Sequence, residues 1–287
     1  MNIFSFRNII TNNFWFLDPQ IALTYQPLIR RIIAGEDIPM PELQPRIEPC
    51  AASPNINQAA SEPTQPEMVA VIPLMGEMTA DGGLCNYGTR EIADMIRGAI
   101  ADEKTSSIVL HIKSGGGAAD SVKHLTDVIL NSPKPIVAFV ESAMSAAYFV
   151  AAACRTIVAF DEYSMIGSIG VMISFADMQP VYEAQGVKFH EVYPPESQDK
   201  NLAFRNALKG DYELITSDML SPLAQWFQNS VKQYRSGKLD ESIPGLLTGK
   251  TFFAKEVMPS LVDEIGNIDR AVNLAHAISI ADKFIKK

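Results

Sequence analysis

The chain has 287 residues, 47% hydrophobic and 20% charged, enough apolar mass for a full core without disulfide or metal staples. Its 24 Lys and Arg against 33 Asp and Glu leave a formal charge of −9, which argues against general nucleic-acid binding, because that requires clustered cations to displace counterions from phosphate. Cys50, Cys85 and Cys154 and the four histidines (His111, His124, His190, His276) are scattered without C-x-x-C or H-E-x-x-H spacing, so neither a disulfide framework, a zinc site nor a cofactor is expected, and a reducing, cytoplasmic setting is the simpler reading.

Residues 1–40 read as an N-terminal helical arm: the apolar cluster Phe14-Trp15-Phe16-Leu17 is followed by helical spacing through Leu28, Ile29, Ile32 and Ile33 up to Gly35. Such an arm either packs on its own subunit or docks on a partner. Its apolar residues are interrupted by Arg7, Asn8, Asn12 and Asn13, so it lacks the zones of a signal peptide. No run in the chain approaches the ~20 apolar residues that span a bilayer, and no membrane anchor is expected. Residues 41–67, rich in Pro, Ala, Ser and Gln, read as a flexible linker, since each Pro removes a backbone donor and restricts its neighbour.

The core domain is expected over 68–287. Val69–Met75 reads as a buried strand, Thr89–Ala101 as an amphipathic helix and Ser107–Ile112 as a second strand closed by Ser114-Gly115-Gly116-Gly117. Asp120–Leu130 reads as a helix, Pro135–Val140 as a strand, Ser145–Cys154 as an Ala-rich buried helix, and Thr156–Phe160 and Val187–Tyr193 as further strands. Beyond about residue 203 the pattern is mainly helical. Strands alternating with helices indicate an α/β fold with largely parallel pairing, because parallel neighbours need a crossover.

Four features bear on chemistry. The Ser114–Gly117 run frees backbone N–H groups that can hold an oxyanion, although a tight turn has the same composition. Ser145 follows a strand and opens a helix, where the dipole favours developing negative charge, but an N-cap serine sits at the same place. Gly167-Ser168-Ile169-Gly170 presents a hydroxyl from a constrained loop. Lys200 lies in the polar stretch Glu196–Asn201, where a lysine is ordinarily a solvated surface charge.

Taken in order, these segments resemble the signal peptide peptidase A family of Ser–Lys serine peptidases, and most closely its phage capsid-assembly branch, typified by minor capsid protein C. The resemblance runs from about Val69 to Ala271. It is carried by Val69–Gly76, Lys113–Gly117, Ser145–Tyr148, Gly167–Val171, Lys200, and the tail segments Thr248–Val257 and Leu261–Gly266. It implies a Clp protease/crotonase-like fold of stacked, largely parallel sheets flanked by helices. It implies Ser145 as nucleophile and Lys200 as general base, with Lys188 and Lys209 as alternatives. Gly116 or Gly117, with the N–H of Ala146, would form the oxyanion hole, and Ser168 would aim the lysine amine. A lysine can serve as base once burial depresses its pKa from about 10.4. Two departures stand out: Lys113-Ser114-Gly115 replaces the family's usual Asn-Ser-Pro, and Ala146-Ala147 replaces Gly-Gly.

The resemblance further implies peptide or unfolded-protein substrates and a homo-oligomeric ring in which Ser and Lys can come from adjacent subunits. The phage branch points to scaffold and capsid proteins as substrates during head maturation, in the host cytoplasm or procapsid. The other readings are a peptidase that degrades signal peptides, a crotonase-like acyl-CoA enzyme, and a catalytically silent structural head protein.

Overall fold

The computed structural model describes residues 67–82, 87–175, 177 and 179–285, together with the backbone of two short strands, β1 (Trp15–Phe16) and β2 (Arg46–Pro49). The helix expected between Leu28 and Ile33 lies outside the described residues. Within the proline-rich stretch 41–66 the described part is β2, a strand where composition suggested neither helix nor sheet.

The core runs β3 (Met68–Met78), α1 (Thr89–Ala101), β4 (Thr105–Ala118), α2 (Lys123–Leu130), β5 (Ile136–Met144), α3 (Ala146–Ala152), β6 (Thr156–Ala159) and β7 (Met165–Gly167). It continues through α4 (Gln179–Ala184), α5 (Leu202–Ala207), α6 (Ser221–Tyr234), β8 (Thr251–Phe253), α7 (Ala254–Val257), β9 (Glu264–Ile265) and α8 (Ile268–Ile285). The nine described strands form one sheet with the main order β2-β3-β4-β5-β6-β9, and β3 to β6 pair parallel, as do β6 and β9. The largely parallel, helix-flanked α/β architecture is therefore the one expected from alternating strands and helices.

Alternation along the strands explains the layers. Ala70, Ile72 and Leu74 of β3, Ile108, Leu110 and Ile112 of β4, and Ile136, Ala138 and Val140 of β5 point into one core with α1, α2 and α3. The intervening Val69, Val71, Val109, Val137 and Phe139 pack under α8 through Ala271, Val272 and Ala275. Both faces are covered over this stretch, which is why the strands read as continuous apolar runs.

The sheet branches at β5. Its first half pairs with β6, at Val137–Val140, and its last three residues, Ser142–Met144, pair with β7, which continues antiparallel into β8. Two expectations change. The Ser114–Gly117 run is part of β4 rather than a loop after it, because Glu77 and Met78 of β3 and then β1 supply partners out to Ala118. The strand expected at Val187–Tyr193 has no regular structure; its β-branched and aromatic residues suit a strand, but no described strand pairs with it.

Candidate functional site

The site grows out of the branch in the sheet. β5 ends at Met144, and the chain turns through Ser145 directly into α3, whose seven residues are all buried. The turn is sharp: Ser145 has φ 55° and ψ −123°, a region that costs a non-glycine residue about 1–3 kcal/mol. A surrounding that over-determines this conformation must hold it. Its backbone N–H donates to the Gly167 carbonyl at 2.8 Å, and its own carbonyl accepts from the Phe149 N–H at 3.0 Å. Ser145 makes no side-chain cap bond to the helix. The plain N-cap role, in which Oγ accepts from the N2 or N3 amide, is therefore not what this serine does. It is 5% exposed, and its hydroxyl makes no hydrogen bond to another described residue.

Ser168 stands next to it. Met144 pairs with Gly167, and Ser168 follows with φ 51° while its N–H donates to the Lys250 carbonyl at 2.9 Å. The glycine run reaches the site from the other side, because Ser114 pairs with Ala143 two residues before Ser145. Gly116 has φ 103°, which only glycine adopts freely, and its N–H donates to Ser114 Oγ at 3.1 Å. Gly117 tolerates no side chain: a Cβ there would fall 2.0 Å from the Met78 carbonyl oxygen. The Ala146 N–H is the first of α3 and has no intrahelical acceptor. Ser145, Ala146, Gly116, Gly117 and Ser168 are thus gathered at one end of β4, β5 and β7.

Lys200 is not gathered with them. It lies in the turns before α5, exposed, and its ammonium makes no hydrogen bond or ion pair with a described residue; the same holds of Lys188 and Lys209. All three belong to an arm, residues 172–212, on which Phe175, Val181, Tyr182, Val187, Phe189, Leu208 and Tyr212 are exposed and Val192 is 91% exposed. Within the arm Phe175 meets Phe204, Tyr182 meets Phe189, and the Arg205 guanidinium lies 4.4 Å over the Tyr193 ring.

Two features at the site escaped the sequence reading. Lys250 meets Ser168 through its backbone carbonyl and places Nζ 4.6 Å over the Phe252 ring. Behind α3, Tyr148 donates its hydroxyl to the Leu261 carbonyl at 3.0 Å. The segment holding Leu261 is pinned by buried Arg235, which donates to the Ser260 and Pro259 carbonyls and forks onto Asp263 at 2.8 and 3.0 Å. Burial alone would raise the Asp263 carboxyl, but hydrogen bonds from Arg235 and Lys238 outweigh it and hold the group below the usual carboxylate range. Only the spacing Leu261-Val262-Asp263 hinted at this brace. Cys154 is a buried thiol that burial pushes up to about 12, so it is a core residue and not a nucleophile. Among the described residues no cluster of His, Cys, Asp and Glu is suited to a metal ion, and no helix is long and apolar enough to cross a membrane.

The sequence profile of peptidase family S49 matches residues 129–279, just over half of the chain, and the chain belongs to that family. The head-tail preconnector protein GP5 of Enterobacteria phage P21 is 28% identical over 221 residues, covering 74% of this chain and 42% of that protein. Protease 4 of Haemophilus influenzae is 23% identical over 219 residues, covering 74% of this chain and 35% of its own length. The chloroplastic serine protease SPPA of Arabidopsis thaliana is 25% identical over 221 residues, covering 73% and 32%. The chain thus spans less than half the length of these relatives. Among solved structures, a mutant of the 1510-N membrane-bound stomatin-specific protease in complex with a substrate peptide overlaps 72% of this chain and 79% of its own, with 15% identity and a TM-score of 0.47.

Proposed function

We propose that the protein is a serine endopeptidase in which Ser145 is the nucleophile and Lys200, carried to it by a second copy of the chain, is the general base. The observation that carries this reading is the turn at Ser145. A non-glycine residue sits at positive φ between a strand and a buried helix, with its hydroxyl free of any capping role. Strain of this kind aims a side chain at a reacting group.

The geometry suits acyl transfer. Ser145 Oγ attacks the scissile carbonyl while Lys200, as the free amine, takes the hydroxyl proton; the resulting ammonium then returns that proton to the leaving amine. The oxyanion faces the N–H of Ala146, at the positive end of α3, and that of Gly117. Gly117 is favoured over Gly116 because the Gly116 N–H is already given to Ser114 Oγ. Ser168, fixed beside Ser145 through Gly167, is placed to accept from the lysine and orient it. An exposed lysine is protonated at neutral pH. Lys200 becomes a base when the arm docks and its ammonium loses water, and the arm's exposed apolar residues are what such docking would bury. The substrate class is extended or unfolded polypeptide. Kinship with a phage head-tail preconnector protein supports a role in head maturation, with scaffold or capsid proteins as substrates.

The test is cleavage of unfolded casein by the native protein, Ser145→Ala, Lys200→Ala and an equal mixture of the two variants, with assembled mass recorded for each. Each variant alone is expected to lose about 1,000-fold or more in rate while keeping its assembly. The mixture is expected to recover about a quarter of the native rate, the share of sites that draw Ser145 from one variant and Lys200 from the other under random closed assembly. Inert mixtures place both residues in one copy. If native and variants behave alike, the peptidase reading fails and a structural role replaces it.

A further inference from the structure

The first described strand lies at an unexpected place. β1 pairs antiparallel with the end of β4, Trp15 opposite Ala118 and Phe16 opposite Gly117. A strand has two edges. At Gly117 one edge of β4 is already taken by β3, where Met78 pairs with Gly117. β1 therefore holds the other edge, the one that β5 follows as far as the pair Ser114–Ala143. Past Ala143 β5 keeps only β7 as a partner, and after Met144 it turns into Ser145. β1 fills the vacated edge three residues, about 10 Å of strand, further along β4. Trp15–Phe16 thus lies as an extended segment along this edge of β4, just beyond the point where β5 turns off towards the proposed nucleophile.

An open strand edge recognises any extended peptide through main-chain hydrogen bonds, with little regard to sequence. The edge at Gly117–Ala118 is of that kind. Gly117 is closely approached by Met78 on one side and by β1 on the other. We infer that this edge is the seat of the substrate backbone, and that the chain's own Trp15–Phe16 segment occupies it as a tethered competitor. The inference rests on the peptidase reading for what the segment competes with; the strand pairing itself does not. A segment carried on the same chain competes intramolecularly, at an effective concentration on the order of mM, enough to shield a weak peptide site without new contacts. An extended substrate enters by displacing β1, so the segment acts on substrate binding and leaves the chemical step alone.

The experiment uses the full chain with Trp15→Pro/Phe16→Pro, which removes both backbone donors of β1. Hydrogen exchange at the amides of Gly117 and Ala118 is compared with that of the native chain. A fluorescein-labelled peptide copying residues 10–22 is titrated onto Ser145→Ala with and without the prolines, and short-peptide cleavage is measured in the catalytically intact pair. The expected result is faster exchange at Gly117 or Ala118, binding of the labelled peptide about tenfold tighter, and a KM about threefold to tenfold lower at unchanged kcat. Unchanged exchange and unchanged peptide affinity overturn the proposal. Exposed exchange with unchanged peptide affinity and KM also overturns it, because β1 would then cover an edge that no peptide uses. If no cleavage occurs in any variant but exchange and affinity move as stated, the peptidase reading fails while the tethered competitor stands. Trp15→Gly/Phe16→Gly, which weakens a strand without proline's steric demands, must move the same readouts the same way by less, and it serves if the proline variant unfolds.

Discussion

The region around Ser145 and the arm around Lys200 are built to opposite rules. Every residue of α3 is buried, and Tyr148, Phe149 and Val150 have no exposure at all. Phe149 alone stacks on Trp226, Phe227 and Tyr234. The arm, by contrast, has no buried residue in α4, and it presents Val181, Tyr182, Phe189 and Val192 to solvent. An isolated polypeptide does not gain by ordering such a surface; contiguous exposed apolar patches mark places where something else docks. On the proposed Ser145–Lys200 mechanism, the contrast divides the work between the two regions. The serine half needs a rigid frame of its own, because a strained turn persists only where its surroundings over-determine it. The lysine half needs a change of environment, because an ammonium becomes a base only when it leaves water.

The largest stability effect is expected where the frame is held. Arg235 is 2% exposed, and its guanidinium ties α6 to Pro259, Ser260 and Asp263. Arg235→Ala leaves the partly buried Asp263 with Lys238 as its remaining cation and is expected to cost about 3 kcal/mol in urea unfolding. The same substitution is expected to abolish cleavage in proportion to the fraction unfolded, since the brace lies behind α3 through Tyr148 and Leu261. A loss under 1 kcal/mol would show that the frame is held elsewhere.

A smaller effect follows from acid. Asp263 is held below the usual carboxylate range in the folded chain, so its ionised form stabilises the fold. That contribution is fully present above the unfolded value of about 3.9 and is lost as pH falls from there through the lower folded value. Urea midpoints measured from pH 7 down to pH 3 are expected to decline, and Asp263→Asn is expected to flatten the part of the decline below about pH 4. An unaltered pH profile in that variant would assign the acid sensitivity to other carboxylates.

The sequence revealed these two regions unequally. The parallel core was legible because β3, β4 and β5 carry unbroken apolar runs, and the 89–101 helix was legible from its spacing; α1 begins and ends at those residues. Ser145, Ser168 and the glycines were legible as motifs, and the structure brings them together because β5 pairs with β4 on one side and β7 on the other. The extension of β4 through Ser114–Ala118 was not legible. Three consecutive glycines signal a turn by composition, and it is the pairing of Gly116 and Gly117 with β3, and of Gly117 with β1, that keeps the run in the sheet. The brace from Arg235 to Asp263 spans 28 positions and leaves no periodicity to read. Val187–Tyr193 was misleading for the opposite reason: it has the β-branched and aromatic composition of a strand and no described strand pairs with it.

The arm yields the smallest effect on the single chain and the sharpest test of the contrast. Phe189→Asp and Val192→Asp alter side chains that are already exposed, so at concentrations where the chain is unassembled each is expected to change unfolding free energy by no more than about 0.5 kcal/mol. A buried charge at a docked interface is far costlier, because it must be desolvated without a partner. Sedimentation of the same variants at higher concentration is therefore expected to show lighter species, with casein cleavage falling in step with the assembled fraction. Native assembly together with native cleavage would remove the arm from any interface. Lys200 would then have to reach Ser145 within one copy by a movement of the arm, and the mixture of Ser145→Ala with Lys200→Ala would stay inert.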